Sequence, residues 1–150
     1  MIFRIIWVGK TKDKRWLALQ EEYLRRLSHF VRVEIDEVRE SSSQGGKETE
    51  GKRILEKLNQ SSFVCVLDVT GKPMSSTELS AVIGNWQVRG VKEVALVIGG
   101  AEGITNAVAD RADLMLSLSF MTFTHEMSRV ILLEQLYRAF TIIRGFPYQK

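Results

Sequence analysis

Two short apolar runs constrain this chain more than anything else in it: Phe63–Leu67 (FVCVL) and Val94–Ile98 (VALVI). Each is rich in β-branched residues and has no polar alternation. Strands of that kind are buried on both faces, which is the situation of a parallel sheet covered by helices on either side. The segments around them fit that arrangement. Phe3–Val8 is a further apolar run that stops at Gly9, and Val31, Val33 and Ile35 alternate with Arg32, Glu34 and Asp36 as in a half-exposed strand. Leu114–Leu118 supplies a fifth strand. Between the strands lie helical patterns. Asp13 to about Leu27 carries Trp16, Leu17, Tyr23, Leu24 and Leu27 at helical spacing. Glu48–Leu58 is a short polar helix, and Ser75-x-x-Glu78 is a capping box opening a helix to about Val88. Thr105 caps a short helix through Ala112. Strands alternating with helices predict an α/β layered fold with a mainly parallel sheet. With 150 residues, no internal repeat and no linker, the expectation is one domain spanning 1–150.

The last third of the chain is read separately. Thr124 is the N-cap of a helix over 125–144, with Glu126 in its first turn. Gly145 and Pro147 stop it. Leu132, Leu133, Leu136, Tyr137, Ala139, Phe140 and Ile143 cover one wide arc, and Met127, Val130, Ile131 and Ile142 continue it most of the way round. A helix this apolar is buried on more than one side, by another part of the fold or by a second subunit. Arg129 projects into that arc. Its guanidinium cannot lose its charge, so its burial requires a carboxylate, a carbonyl or an anionic ligand.

Composition excludes several classes. The longest apolar runs are far too short to cross a membrane, and the start MIFRIIWVGK lacks the features of a signal peptide, so a cytoplasmic location is expected. Cys65 is the only cysteine and sits in an apolar strand, as a reduced core residue does. One cysteine with His29 and His125 leaves too little for a metal site, and none is expected. A net charge of +3 permits a nucleic-acid partner without demanding one.

In open α/β folds, ligands bind at the carboxyl ends of strands. Three ends stand out: Leu67-Asp68-Val69-Thr70-Gly71-Lys72-Pro73, Ile98-Gly99-Gly100-Ala101-Glu102-Gly103, and Leu118-Ser119-Phe120-Met121-Thr122-Phe123. The glycines let a backbone approach a ligand, but they form neither a dinucleotide fingerprint nor a Walker loop. The third loop is apolar and has to pack on something, a subunit or a flat ligand such as a nucleobase. From the residues alone this gives a pocket without a reaction.

At LDVTGKPMSS, VIGGAEG and LSLSFMTFTHEMSRVILLEQLYRAFTIIRGFPY, together with the opening IIWVGKTKDK, the chain resembles the ribosomal RNA large subunit methyltransferase H family of the SPOUT superfamily. The resemblance runs along the whole chain. Its most specific part is met by Thr122, Phe123, His125, Arg129, Leu132, Glu134, Gln135, Tyr137, Arg138 and Ala139. It implies a C-terminal trefoil knot, a homodimer packed through the knot and the last helix, and S-adenosylmethionine held by Leu67, Gly99, Leu118, Ser119, Phe120, Met121, Thr122 and Phe123. It also implies methylation of N3 of a pseudouridine in 23S ribosomal RNA of the assembled ribosome. N3 must lose a proton, and the candidates for taking it or stabilising the anion are Arg129, Arg138, His125 and Tyr148. Lys10, Lys12, Lys14 and Arg15, joined by Lys72 and Lys150, are the cations expected to meet RNA. One departure stands out: the family usually ends in Tyr-His before a basic residue, whereas this chain has Tyr148-Gln149-Lys150. Glutamine is no base at neutral pH. Two other readings therefore stay open, a non-catalytic RNA- or ribosome-binding relative and a methyltransferase for another RNA base.

Overall fold

A computed structural model describes residues 1–148. Five strands, β1 (Ile2–Val8), β2 (Arg32–Val38), β3 (Phe63–Pro73), β4 (Glu93–Ile98) and β5 (Leu114–Ser117), form one sheet in the order β2-β1-β4-β3-β5. Every pairing is parallel. The helices are α1 (Lys14–Leu27), α2 (Gly46–Lys57), α3 (Ser76–Val88), α4 (Asn106–Ala109) and α5 (His125–Ile143). Among the described residues no helix is long and apolar enough to cross a membrane.

The period of two along each strand divides the core into two layers. Phe3, Ile5 and Trp7 of β1, with Cys65, Leu96 and Leu116, face α1, α3 and α5, where Leu27, Ile83, Leu132, Leu136 and Phe140 meet them. Ile6 and Val8, with Val64, Val66, Ala95 and Val97, face α2 and α4 through Ile54 and Val108. Crossovers that run towards β2 (α1, α3) thus lie on one face, and those that run towards β5 (α2, α4) lie on the other. All four therefore have a single hand, as twisted parallel strands require.

The helix starts follow from sequence chemistry. Asp13 accepts the Arg15 N–H at 2.8 Å, Ser75 and Glu78 close a reciprocal capping box, and Thr124 accepts from Met127. Two boundaries differ from the expectation by more than two residues. Helix α4 ends at Ala109 rather than Ala112, before a turn that lets Asp113 bond the Val64 N–H with its carboxylate at 2.7 Å. Strand β3 does not end at Leu67. After Leu67↔Leu116 the pairing jumps to Lys72↔Leu116 and Pro73↔Ser117, so residues 68–71 form a bulge and the strand resumes beyond it. Gly71 makes this possible, since a Cβ there would stand 2.7–2.8 Å from the Met115 and Leu116 backbone.

Helix α5 lies between α1 and α3 on the sheet. Its Val130, Leu132, Leu133, Leu136, Ala139 and Phe140 are buried, while Met127, Ile131, Tyr137, Ile142 and Ile143 stay half-buried. The fold thus accounts for most of the apolar circumference, and an unfinished flank remains.

Candidate active site

The carboxyl ends of β3, β4 and β5 converge on an open cleft of about 250 Å³. Its floor is Leu67, adjacent to Ile98 in register. One wall is the bulge residues Asp68 and Val69, and a second is the turn running from Gly99 to Ile104. Leu118, Ser119, Met121, Thr122 and Phe123, with His125 and Ser128 from the first turn of α5, close the third side.

Local chemistry sets each wall. The Gly103 N–H donates to the Gly100 carbonyl at 3.0 Å, and Gly103 has φ +81°, so a hairpin-like turn folds back on β4. A Cβ on Gly99 would lie 2.7 Å from the Ile104 side chain and 2.9 Å from the Gly103 carbonyl. The glycine at 99 is therefore required by the turn closing on itself, before any ligand is considered. After β5, the Ser117 hydroxyl donates to the Ser119 carbonyl at 3.1 Å, and the Ser119 hydroxyl accepts the Met121 N–H at 3.0 Å. Phe120 and Met121 are 77% and 75% exposed at this loop.

Of the eight residues expected to hold a cofactor, seven line the cleft: Leu67, Gly99, Leu118, Ser119, Met121, Thr122 and Phe123. Phe120 is the exception and points outward. Asp68, Val69, Gly100, Ile104 and Ser128 line it without being among those eight. Asp68, Val69 and Gly100 belong to the strand-end stretches that the sequence singles out, whereas Ile104 and Ser128 lie outside them.

The four catalytic candidates are scattered. His125 is in the cleft wall. Arg129, one turn on, turns away into the core and is 2% exposed. Its Nη2 donates to the Val8 carbonyl at 2.6 Å, its Nη1 donates to Thr11 Oγ1 at 2.8 Å, and its guanidinium lies 4.9 Å from the centre of the Trp7 ring. Arg138 and Tyr148 meet around Glu134. Arg138 donates to Glu134 Oε1 at 2.9 and 2.5 Å, the Tyr148 hydroxyl donates to the same oxygen at 3.2 Å, and the Arg138 guanidinium stacks on the Tyr148 ring at 4.8 Å. Burial first, then its contacts with Tyr23 and Glu134, push the Tyr148 phenol well above the usual tyrosine range. Thirteen residues of helix separate His125 from Arg138, about 20 Å along the axis. Gln149 and Lys150 lie outside the described residues.

The basic stretch after β1 is tied to the first turn of α5. Glu126 Oε1 accepts the Lys12 and Asp13 N–H groups at 2.6 and 3.3 Å, while Arg129 holds Thr11. Lys10, Lys12, Lys14, Arg15 and Lys72 are exposed, and Arg15 pairs with Asp13 at 2.8 Å.

The geometry suits a flat, partly apolar small molecule held at strand ends. Comparison with known proteins gives it a context. The family described as "Predicted SPOUT methyltransferase" matches residues 1–149. The chain is 45% identical to the ribosomal RNA large subunit methyltransferase H of Halothermothrix orenii and 43% identical to that of Clostridium kluyveri, with all of each chain covered. The protein of that name from Desulfotalea psychrophila is 42% identical, again over both full lengths. Among solved structures, a probable methylase family protein from Haemophilus influenzae superposes with a TM-score of 0.55 at 13% identity, covering 99% of this chain and 70% of that one. That likeness concerns the fold alone.

Proposed function

The chain belongs to the ribosomal RNA large subunit methyltransferase H family of SPOUT methyltransferases, and from that premise we propose that it methylates N3 of a pseudouridine in 23S ribosomal RNA of the assembled ribosome. SPOUT methyltransferases use S-adenosylmethionine. The observation that carries the reading is the three-walled cleft, which draws together the three strand-end motifs that mark the family. It has the composition such a cofactor asks for, with apolar walls for an adenine, exposed backbone at a glycine turn and a few polar side chains.

The cofactor supplies an electrophilic methyl group on a sulfonium. The chain's own residues contribute position first, since an in-line displacement gains most from alignment. Leu67, the Gly99 turn and the 118–123 loop hold the cofactor in this reading, with Phe120 reaching the partner surface. His125, the cleft's imidazole, takes the N3 proton. Arg138 stabilises the resulting anion. Tyr148, whose phenol stays protonated, donates a hydrogen bond and is not a base. Arg129 acts by fixing the loop after β1.

Arg138, and Tyr148 which packs on it from beyond the end of α5, stand too far from His125 to serve the same substrate within one chain. We therefore infer a homodimer in which the partner's Arg138 and Tyr148 complete the cleft. The exposed Phe120 and Met121 and the half-buried flank of α5 support such a partner. A C-terminal trefoil knot, a single domain spanning 1–150 and a cytoplasmic location belong to the same proposal. RNA is met by the exposed lysines after β1 and on β3, so binding weakens with salt.

The test is to incubate the purified protein with methyl-labelled cofactor and ribosomes that lack the modification, then map the label. Label on N3 of one 23S pseudouridine establishes enzyme, substrate and a competent Gln149 tail together. Absence of label despite cofactor binding refutes this activity and leaves another RNA base as the target or a non-catalytic RNA-binding role.

A further inference from the structure

Among the described residues lining the cleft, Asp68 carries the only carboxylate, and no lysine or arginine accompanies it. It sits on the β3 bulge, directly after the floor residue Leu67 and partly shielded from solvent. Its Oδ1 is committed, accepting the Thr70 N–H at 2.9 Å and the Thr70 hydroxyl at 2.6 Å. Among the described residues no donor reaches Oδ2, and no cation forms a salt bridge with the group. The bulge thus holds a carboxylate by one oxygen and leaves the other to the cleft.

A lone carboxylate in a mostly apolar cleft sets up a field that favours cations and disfavours anions. Resting on the cofactor reading above, we propose that Asp68 is the residue that recognises positive charge on the methionyl half of S-adenosylmethionine. That half has two cationic centres, the sulfonium and the α-ammonium. S-adenosylhomocysteine keeps only the ammonium, because the sulfur becomes a neutral thioether once the methyl group leaves. 5′-Methylthioadenosine has neither charge and still presents the adenine, ribose and thioether. The three molecules thus separate the two cations from each other and from the rest of the site.

Calorimetric affinities of the full-length protein for these three ligands test the proposal, with Asp68→Asn compared with wild type. Asparagine keeps the size of the side chain and the oxygen that bonds Thr70, so the bulge is preserved. A hydrogen bond or contact to a charged group in a partly open site corresponds to a loss of about tenfold. Loss for S-adenosylmethionine alone assigns Asp68 to the sulfonium and makes it the residue that favours reactant over product. An equal loss for S-adenosylmethionine and S-adenosylhomocysteine, with 5′-methylthioadenosine unaffected, assigns it to the ammonium. Equal weakening of all three, or of none, overturns the proposal. Thr70→Val removes the hydroxyl bond to Asp68 but leaves the backbone N–H bond and the charge, and the proposal also fails if it reproduces the Asp68→Asn pattern. A wild-type protein that binds none of the three refutes the cofactor reading itself, a result distinct from each of the others.

Discussion

Arg129 reaches 2.6 Å from the carbonyl of Val8, linking the last helix to the end of the first strand inside the core. No carboxylate forms an ion pair with it among the described residues. Burial lowers its pKa, with Glu126, Glu37 and Glu40 opposing that from further off. The guanidinium is held by a carbonyl, a hydroxyl and the face of Trp7, while its buried Nε has no hydrogen-bond partner among the described residues. Its planar fork makes all three contacts at once, which a lysine ammonium does not.

Arg129→Met therefore takes a charged donor from the Val8 carbonyl and leaves Thr11 with Gln20 alone, and should lower stability by about 3 kcal/mol, as breaking a buried charged hydrogen-bond set does. Arg129→Lys should recover only part of this. Denaturant titration of both variants measures the difference. Equal stability of the methionine variant and wild type would show that the buried bonds contribute nothing net.

Asp13 caps α1 and pairs with Arg15, and those contacts lower its carboxyl from 3.8 to about 2. A folded-state pKa below the unfolded value gives stability that is present above pH 4 and lost as the pH falls towards 2. Asp13→Asn should thus melt below wild type at pH 7, with the gap closing between pH 4 and 2. Thermal melts across that range check the sign.

Tyr148 is held protonated by burial and by Tyr23 and the Glu134 carboxylate. Tyr148→Phe should therefore slow methyl transfer by about tenfold through loss of one donor, without moving the pH–rate profile between pH 6 and 9. A profile that loses its alkaline limb in the variant would identify the phenol as a titrating base.

At Gly71 the obstacle is backbone rather than side chain. A Cβ would press on Met115 and Leu116 of β5 at 2.7–2.8 Å, and neither can rotate away. Gly71→Ala should cost about 2 kcal/mol or more and weaken cofactor binding, because the same bulge carries Asp68. Gly84→Ala, in a helix with nothing within 4 Å, is the matched control and should be neutral or stabilising. Paired denaturation curves and cofactor titrations read both effects.

Cys65 is fully buried, and burial pushes its thiol up to about 12. It should resist alkylation at pH 8 in the native protein and react at once in denaturant, because the thiolate is the nucleophile. Rapid native labelling would mean that β3 opens readily.

The sequence by itself determined the elements and their layering. Buried strands read as continuous apolar runs, and caps such as Asp13, Ser75 with Glu78, and Thr124 act within three residues, so both are visible in one dimension. It also marked the three strand ends that form the cleft, since ligands in open α/β folds bind at the carboxyl ends of strands and these three carry glycines or an apolar loop. Tertiary structure decided what depends on contacts between distant residues. That β3 resumes after a bulge is set by β5, some 45 residues later, pressing on Gly71. That Arg129 turns into the core while His125 faces the cleft is set by Val8, Thr11 and Trp7, more than 100 residues earlier. That Asp68 keeps one oxygen free depends on the bulge geometry, which its neighbours in sequence do not reveal. Local chemistry fixes where an element starts and stops, but the direction a side chain takes within the fold depends on which distant groups satisfy its charge and its hydrogen bonds.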